Sequence, residues 1–164
     1  MTARKYKLGE KDPETGLYRI VALKSFYNVC KGDIGGFVSS IDNLSQSGDA
    51  WVSDNAMVSG NARVYGDAMV YGNARVYGNA RVYESIKNTK DYIVIGPIGS
   101  RDDHITFVRN GKSIYVSVGC FHDVLFKFVK TVKNTHGKNN FAKEYLAAIE
   151  FVKEYFKIQK TKEK

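Results

Sequence analysis

The stretch NARVYGDAMVYGNARVYGNARVYES, residues 61–85, nearly repeats the same six letters. Counted from Val52, six units follow one another without an insertion: VSDNAM (52–57), VSGNAR (58–63), VYGDAM (64–69), VYGNAR (70–75), VYGNAR (76–81) and VYESIK (82–87). Val holds the first position in all six and Ala the fifth in the first five, with Ile86 in its place in the last. Six is a poor helical period, because a helix repeats its apolar face at steps of three and four. Ala and the next Val lie two apart, which suits a strand that turns alternate side chains to one face. Gly-Asn or Gly-Asp then supplies a bend, since both tolerate unusual backbone angles. Each unit is therefore a short strand and a corner, and a chain that bends at such intervals coils into a solenoid. The inward residues are Ala50, Val52, Ala56, Val58, Ala62, Val64, Ala68, Val70, Ala74, Val76, Ala80 and Val82.

The strict Val ladder, with a small Ala two places before each Val, resembles the hexapeptide-repeat, left-handed parallel β-helix family. The resemblance implies a triangular prism with three units, eighteen residues, in each coil. On that map Val52 stacks under Val70, Val58 under Val76 and Val64 under Val82, about 4.8 Å apart as in any parallel ladder. Outside, Tyr65 lies under Tyr83, Arg63 under Arg81, Ser53 under Tyr71 and Ser59 under Tyr77, while Trp51, Met69 and Lys87 share a column. Residues 34–51 form a first, irregular coil, so 34–87 makes about three.

Residues 1–33 read as an N-terminal hairpin cap. KYKL and LYRIVAL flank GEKDPETG, and a hairpin here would cover the open lower end of the stack. Residues 88–158 read as a C-terminal α+β unit, a hairpin plus two helices on the upper end. DYIVIG (91–96) is a buried strand, and HITFVR and KSIYVSVG flank Asn110-Gly111, a two-residue turn signal. The first helix carries Leu125, Phe128, Val129 and Val132 on one face, with Asp123 as N-cap and Gly137 as stop. The second carries Phe141, Tyr145, Ile149, Val152 and Phe156, capped by Asn139 or Asn140. Residues 159–164 read as a frayed tail. The expected fold is thus mainly β: a short left-handed β-helix between a hairpin cap and a small α+β unit.

The net charge is +8, of which residues 101–164 hold +6 and residues 34–87 hold −1. Such a balance suits an anionic partner, or is simply a lysine-rich solvated surface. The two cysteines, Cys30 and Cys120, sit in no metal-ligand spacing. No stretch reads as a signal peptide and no apolar run is long enough for a bilayer, so the expectation is a soluble, cytoplasmic protein without a membrane partner.

The outward Tyr65, Tyr71, Tyr77 and Tyr83 and Arg63, Arg75 and Arg81 suit base or nucleotide stacking, a subunit interface, or merely an exposed strand face. IGPIGSR (95–101) lacks the helix and Lys of a phosphate loop and reads first as a simple connecting loop, although Gly96, Ser100 and Arg101 offer backbone N–H groups and a guanidinium to an anion. Lys127, Lys130 and Lys133 form a basic edge on the first helix. That helix has no Arg, Asn or Gln set to reach base edges, which argues against sequence-specific DNA reading. Asp102, Asp103, His104, Cys120, His122 and Asp123 match no metal motif, and helix capping and solvation account for them. No metal and no cofactor is expected.

The hexapeptide fold commonly hosts acyltransferases, which the resemblance ties to a catalytic His beside the coils. Residues 52–87 contain no His; His104, His122 and His136 all lie beyond them. A non-enzymatic protein is therefore expected. Lys31-Gly32-Asp33-Ile34-Gly35-Gly36-Phe37-Val38, DNLSQSG (42–48), GCFHDVLFKFVKTVKNTHG (119–137) and AKEYLAAIE (142–150) resemble small proteins encoded by bacteriophages and prophages. That resemblance implies a phage accessory protein at work in the host bacterial cytoplasm. The leading expectation is counter-defence, by blocking a host immune protein or sequestering a small anionic nucleotide signal. A structural virion or assembly component and a hexapeptide-repeat acyltransferase are the alternatives. Homo-oligomerisation, with a trimer favoured, is what the fold resemblance implies.

Overall fold

The computed structural model describes residues 4–162, and they divide into two compact units, up to Thr89 and from Lys90 on. In the first, strands β1 (Tyr6–Lys11) and β2 (Tyr18–Ala22) form the expected hairpin. β3 (Ile34–Val38) pairs with β2 on one side and, in parallel, with the second of the repeat strands. The repeat supplies β4 (Trp51–Val52), β5 (Met57–Val58), β6 (Arg63–Val64), β7 (Met69–Val70), β8 (Arg75–Val76) and β9 (Arg81–Val82). Every one is two residues long, one Val and the residue before it.

Three ladders run through the stack: β3–β5–β8, Leu44–β6–β9 and β4–β7–Ile86. Their registers are Val52↔Val70, Val58↔Val76 and Val64↔Val82, one step of eighteen each. Each corner needs a left-handed residue. Gly60, Gly66, Gly72 and Gly78 provide it, and Asp54 takes the same place in the first unit at φ +55°. Every Ala and Val expected inside is buried, from Ala50 to Val82. Burying each Val contributes about 1.5–2 kcal/mol before entropy is counted, so the stack is held by many small equal increments.

Both ends of the regular region depart from eighteen. At the start, Phe37 pairs with Met57 and Leu44 with Val64, a step of twenty, so the first coil carries two extra residues. Gly35 and Gly36 have no room for a Cβ, which would meet the carbonyls of Val52 and Ala56 at 2.5 Å. At the finish, Ile86 pairs with Val70, a step of sixteen. Ile86 is therefore not a variant of the Ala position. It is the last inward residue of its ladder, and Lys87 does not continue the Trp51–Met69 column.

Open ladders leave backbone groups without partners, and side chains meet them here. At the first end the buried Lys5 ammonium donates to the carbonyls of Gly48 (3.2 Å) and Ala50 (2.7 Å), and Asn43 Nδ2 donates to those of Gly60 (3.0 Å) and Ala62 (2.8 Å). Tyr6, fully buried, donates from its hydroxyl to Ile41 and Leu44 carbonyls and packs edge-on against Trp51. At the other end Ser85 and Thr89 hydroxyls accept the N–H groups of Met69 and Arg75. The entry to β1 therefore closes the lower end, while the hairpin itself extends one ladder sideways as antiparallel strands. Trp51 is buried by this closure rather than displayed outside.

The second unit is an antiparallel sheet of β10 (Tyr92–Ile98), β11 (Asp103–Asn110), β12 (Ser113–Val118) and β13 (Phe121–Val124), in that order, with helices α1 (Leu125–His136) and α2 (Asn140–Lys162). Asn110 pairs with Ser113, so the hairpin loop is Gly111-Lys112, one place later than the Asn110-Gly111 signal suggests. β13 is an element that the repeat-free sequence does not announce. It takes Asp123 into the sheet opposite Val116, so Asp123 is not the helix cap. Val124 is the N-cap residue, without a side-chain bond, and Asp123 instead accepts from Val124 N–H and pairs with Lys127 at 2.8 Å. Gly137 ends α1 by donating to the Lys133 carbonyl, and Asn139 caps α2 through Ala142 N–H.

Ile105, Phe107 and Val116 of the sheet meet Phe128 and Val132 of α1 and Tyr145, Ile149, Val152 and Phe156 of α2 in one core. Phe141, expected on that face, is exposed. The tail expected to fray from 159 is helical through Lys162, with Gln159 buried; Glu163 and Lys164 lie outside the described residues. No helix among the described residues is long and apolar enough to cross a membrane.

Candidate functional site

The outward Tyr and Arg residues of the repeat fall on three different ladders. Arg63 and Arg81 are direct neighbours in register beside the stacked rings of Tyr65 and Tyr83, whose centroids are 4.8 Å apart. Tyr71 is half-buried elsewhere in the stack. Arg75 and Tyr77, the latter 56% exposed, line an open groove of about 690 Å³ with Met57, Ser59, Thr89 and the hairpin residues Thr15 and Leu17. The structure thus does not bring the seven together. Lys127 is tied to Asp123, and Lys130 and Lys133 are solvated.

Arg101 stands in different surroundings. It lines a cleft of about 270 Å³ in the second unit, built by several elements. The loop after β10 brings Ser100 and Arg101, and the start of β11 brings Asp103. The turn between β12 and β13 brings Gly119 and Cys120. The last turns of α1 bring Thr131, Thr135 and His136, and α2 brings Tyr145. Val118, Phe121, Phe128 and Val132 form an apolar floor, with Phe121 and Phe128 rings 5.1 Å apart and Tyr145 edge-on to Phe128 at 5.5 Å.

The loop is held in place by named bonds. Gly99 N–H donates to Glu144 Oε2 at 2.7 Å, Asp102 N–H donates to the Gly99 carbonyl, and Asp102 sits at φ +47°. A side chain at Gly99 would collide with the Tyr145 hydroxyl. Non-glycine residues in the left-handed region cost on the order of 1–3 kcal/mol and cluster at functional sites. Across the cleft, Arg101 Nη1 lies 3.7 Å from where a Cβ on Gly119 would stand, so the guanidinium rests over that glycine.

Burial raises the Tyr145 phenol, and the carboxylates of Asp103 and Glu144 push it further while Arg101 pulls it down. The phenol therefore stays neutral and keeps its O–H. The His136 ring tilts against Tyr145 at 5.8 Å. Thr131 donates to the Lys127 carbonyl, which leaves its oxygen able to accept. The rim thus offers one guanidinium, one carboxylate and several hydroxyls over an apolar floor, the composition of a small-molecule site.

The sequence pointed to Arg101 and Ser100, and it left Asp103 and Cys120 in a loose cluster with His122 that the structure does not assemble as such. Thr131, Thr135, His136 and Tyr145 were missed as site residues. A signal for them exists: the α1 core stripe of Phe128 and Val132 continues at helical spacing into Thr135 and His136, where an apolar pair would close the core. Among the described residues no three His, Cys, Asp or Glu side chains are placed to hold a metal ion.

Comparison with known families bears on the first unit alone. The family model described as the YdcK β-solenoid repeat matches residues 50–64, 62–76 and 74–86. The chain therefore carries a β-solenoid repeat, within the bounds that the Val ladder sets. No curated protein matches the chain.

Proposed function

We propose that this protein is a non-enzymatic binding protein in which a left-handed solenoid of about three coils is the scaffold and the cleft of the second unit takes a small organic anion. The observation that carries this is Arg101, its guanidinium laid over Gly119 at the rim of an apolar-floored cleft. A volume of about 270 Å³ is just under the usual range for small-molecule sites. A mononucleotide is then the largest nucleotide that fits, with its phosphate at the mouth. In the phage setting that the sequence resemblance implies, such a protein withdraws an anionic signal from the host. Blocking a host immune protein is the alternative form of the same role.

The test is calorimetry on the full chain with a panel of mononucleotides and small carboxylates. At least one should bind, and Arg101→Ala should weaken it about 10- to 100-fold, the worth of a charge-assisted hydrogen bond. A bound anion whose affinity ignores Arg101→Ala sinks the proposal. Acetyl-CoA turnover lost on substituting His104, His122 or His136 would replace it with the acyltransferase alternative, and recovery of the chain in purified virions without any ligand would favour the structural one.

A further inference from the structure

Arg101, in the loop, and Asp103, at the start of β11, bring opposite charges to one cleft. They do not close on each other: no ion pair joins them among the described residues. Asp103 lines the cleft, and its Oδ1 accepts from the His104 N–H at 2.7 Å. Asp102 separates the two, at φ +47° and with its N–H turned back to the Gly99 carbonyl. The Tyr145 phenol responds to both charges, raised by one and lowered by the other, so both fields reach the same point in the cleft. Glu144, the other nearby carboxylate, is occupied by Gly99 N–H.

Two opposite charges held apart over an apolar floor are complementary to a molecule that carries both on one small body. A simple anion on Arg101 leaves Asp103 unmatched, and a simple cation on Asp103 leaves Arg101 unmatched, so a ligand with both charges binds more tightly than either. The floor of Val118, Phe121, Phe128 and Val132 asks for an aromatic or branched apolar group. A volume of about 270 Å³ is of the order of one large amino acid.

We propose that the cleft binds a zwitterion of amino-acid size, its carboxylate on Arg101, its ammonium on Asp103 and an aromatic or branched apolar side chain on the Phe121–Phe128 floor. The proposal rests on the cleft being a ligand site for a group that Arg101 grips, and it names the class of that ligand. Thr135 and Tyr145 line the same cleft and offer hydroxyls for further polar contacts.

The experiment is titration calorimetry on the full chain with L-phenylalanine, 3-phenylpropionate, phenethylamine and guanosine monophosphate. L-phenylalanine should bind, with phenylpropionate, which lacks the ammonium, and phenethylamine, which lacks the carboxylate, each at least ~10-fold weaker. Arg101→Ala should weaken L-phenylalanine and phenylpropionate and spare phenethylamine. Asp103→Asn keeps an oxygen for the His104 N–H, so it should fold with an unchanged melting temperature. It should weaken L-phenylalanine ~10-fold while phenylpropionate holds or improves. Phenylpropionate or the nucleotide binding as tightly as L-phenylalanine, with Arg101→Ala weakening it and Asp103→Asn without effect, overturns the zwitterion and leaves the anion site standing. Absence of binding by all four overturns both.

Discussion

The two units close a β-structure in opposite ways. The first is built from one small pair, Ala and Val, repeated until its interior is uniform, and its trouble is confined to the ends. There Lys5 and Asn43 supply the missing donors, and Ser85 and Thr89 the missing acceptors. The second is an antiparallel sheet covered by two helices, and it joins large unlike side chains, among them Phe107, Phe128, Tyr145 and Phe156. Uniform small residues stack densely inside, whereas rings of different size and angle leave a cleft at the margin of their core. The part that repeats is a scaffold, and the part that does not repeat carries the candidate site.

The hardest test of that contrast puts one charge in each unit. Val70 is fully buried between Val52 and Ile86. Val70→Asp places an unpaired carboxylate there, at a cost above about 4 kcal/mol, a large part of a domain's stability. Hydrogen exchange should show protection lost across residues 50–86. Thr135→Asp puts the same charge on the exposed rim of the cleft and should stay within about 0.5 kcal/mol of the parent in denaturant. A Val70→Asp protein that melts like the parent would break the inward assignment.

Next in size is the closure of the solenoid. Burial holds the Lys5 ammonium down at about 8, well under its ordinary 10.5. Lys5→Met leaves the carbonyls of Gly48 and Ala50 unpaired and should cost about 2 kcal/mol at pH 7. The pH dependence has a definite sign. Between pH 8 and 10.5 the unfolded chain binds the Lys5 proton and the folded one has released it, so the parent's stability from this group rises with pH across that window. The gap between parent and Lys5→Met should widen there, by on the order of 2–3 kcal/mol, read from urea midpoints. A gap that narrows would show that the ammonium is solvated and that something else closes the end.

The same contrast explains what the sequence let one see. The ladder was legible because period, inward Val and corner Gly or Asp54 are local facts that all agree. Its last turn was not, because Ile86 reads as a substitution in the Ala column until the sixteen-residue step to Val70 is known. In the second unit Gly111 marked a hairpin and the pairing placed its loop one residue on. β13 was hidden because His122-Asp123 resembles a helix start as much as an edge strand. The cleft was scarcely legible: Arg101 sits in a stretch that reads as a connecting loop, and Thr135, His136 and Tyr145 join it only through the packing of two helices on a sheet. No spacing in the chain encodes that meeting.

The smallest effect belongs to the outer face of the solenoid, where it separates packing from assembly. Tyr65 and Tyr83 stack at 4.8 Å with planes 19° apart, one coil above the other and next to the like-charged neighbours Arg63 and Arg81. Within one chain that stack is worth about 0.5–1 kcal/mol as the coupling in a double-mutant cycle of Tyr65→Ala and Tyr83→Ala, because the rings add a contact beyond their buried area. If copies of the chain assemble through this face, the double variant should also dissociate in native mass spectrometry at concentrations where the parent stays associated. A measured coupling with an unchanged mass assigns the rings to the scaffold alone, and the first unit is then structural on its outside as well as its inside. A lost oligomer with no coupling assigns them to the interface, and the scaffold gains a recognition role that its uniform interior does not foretell.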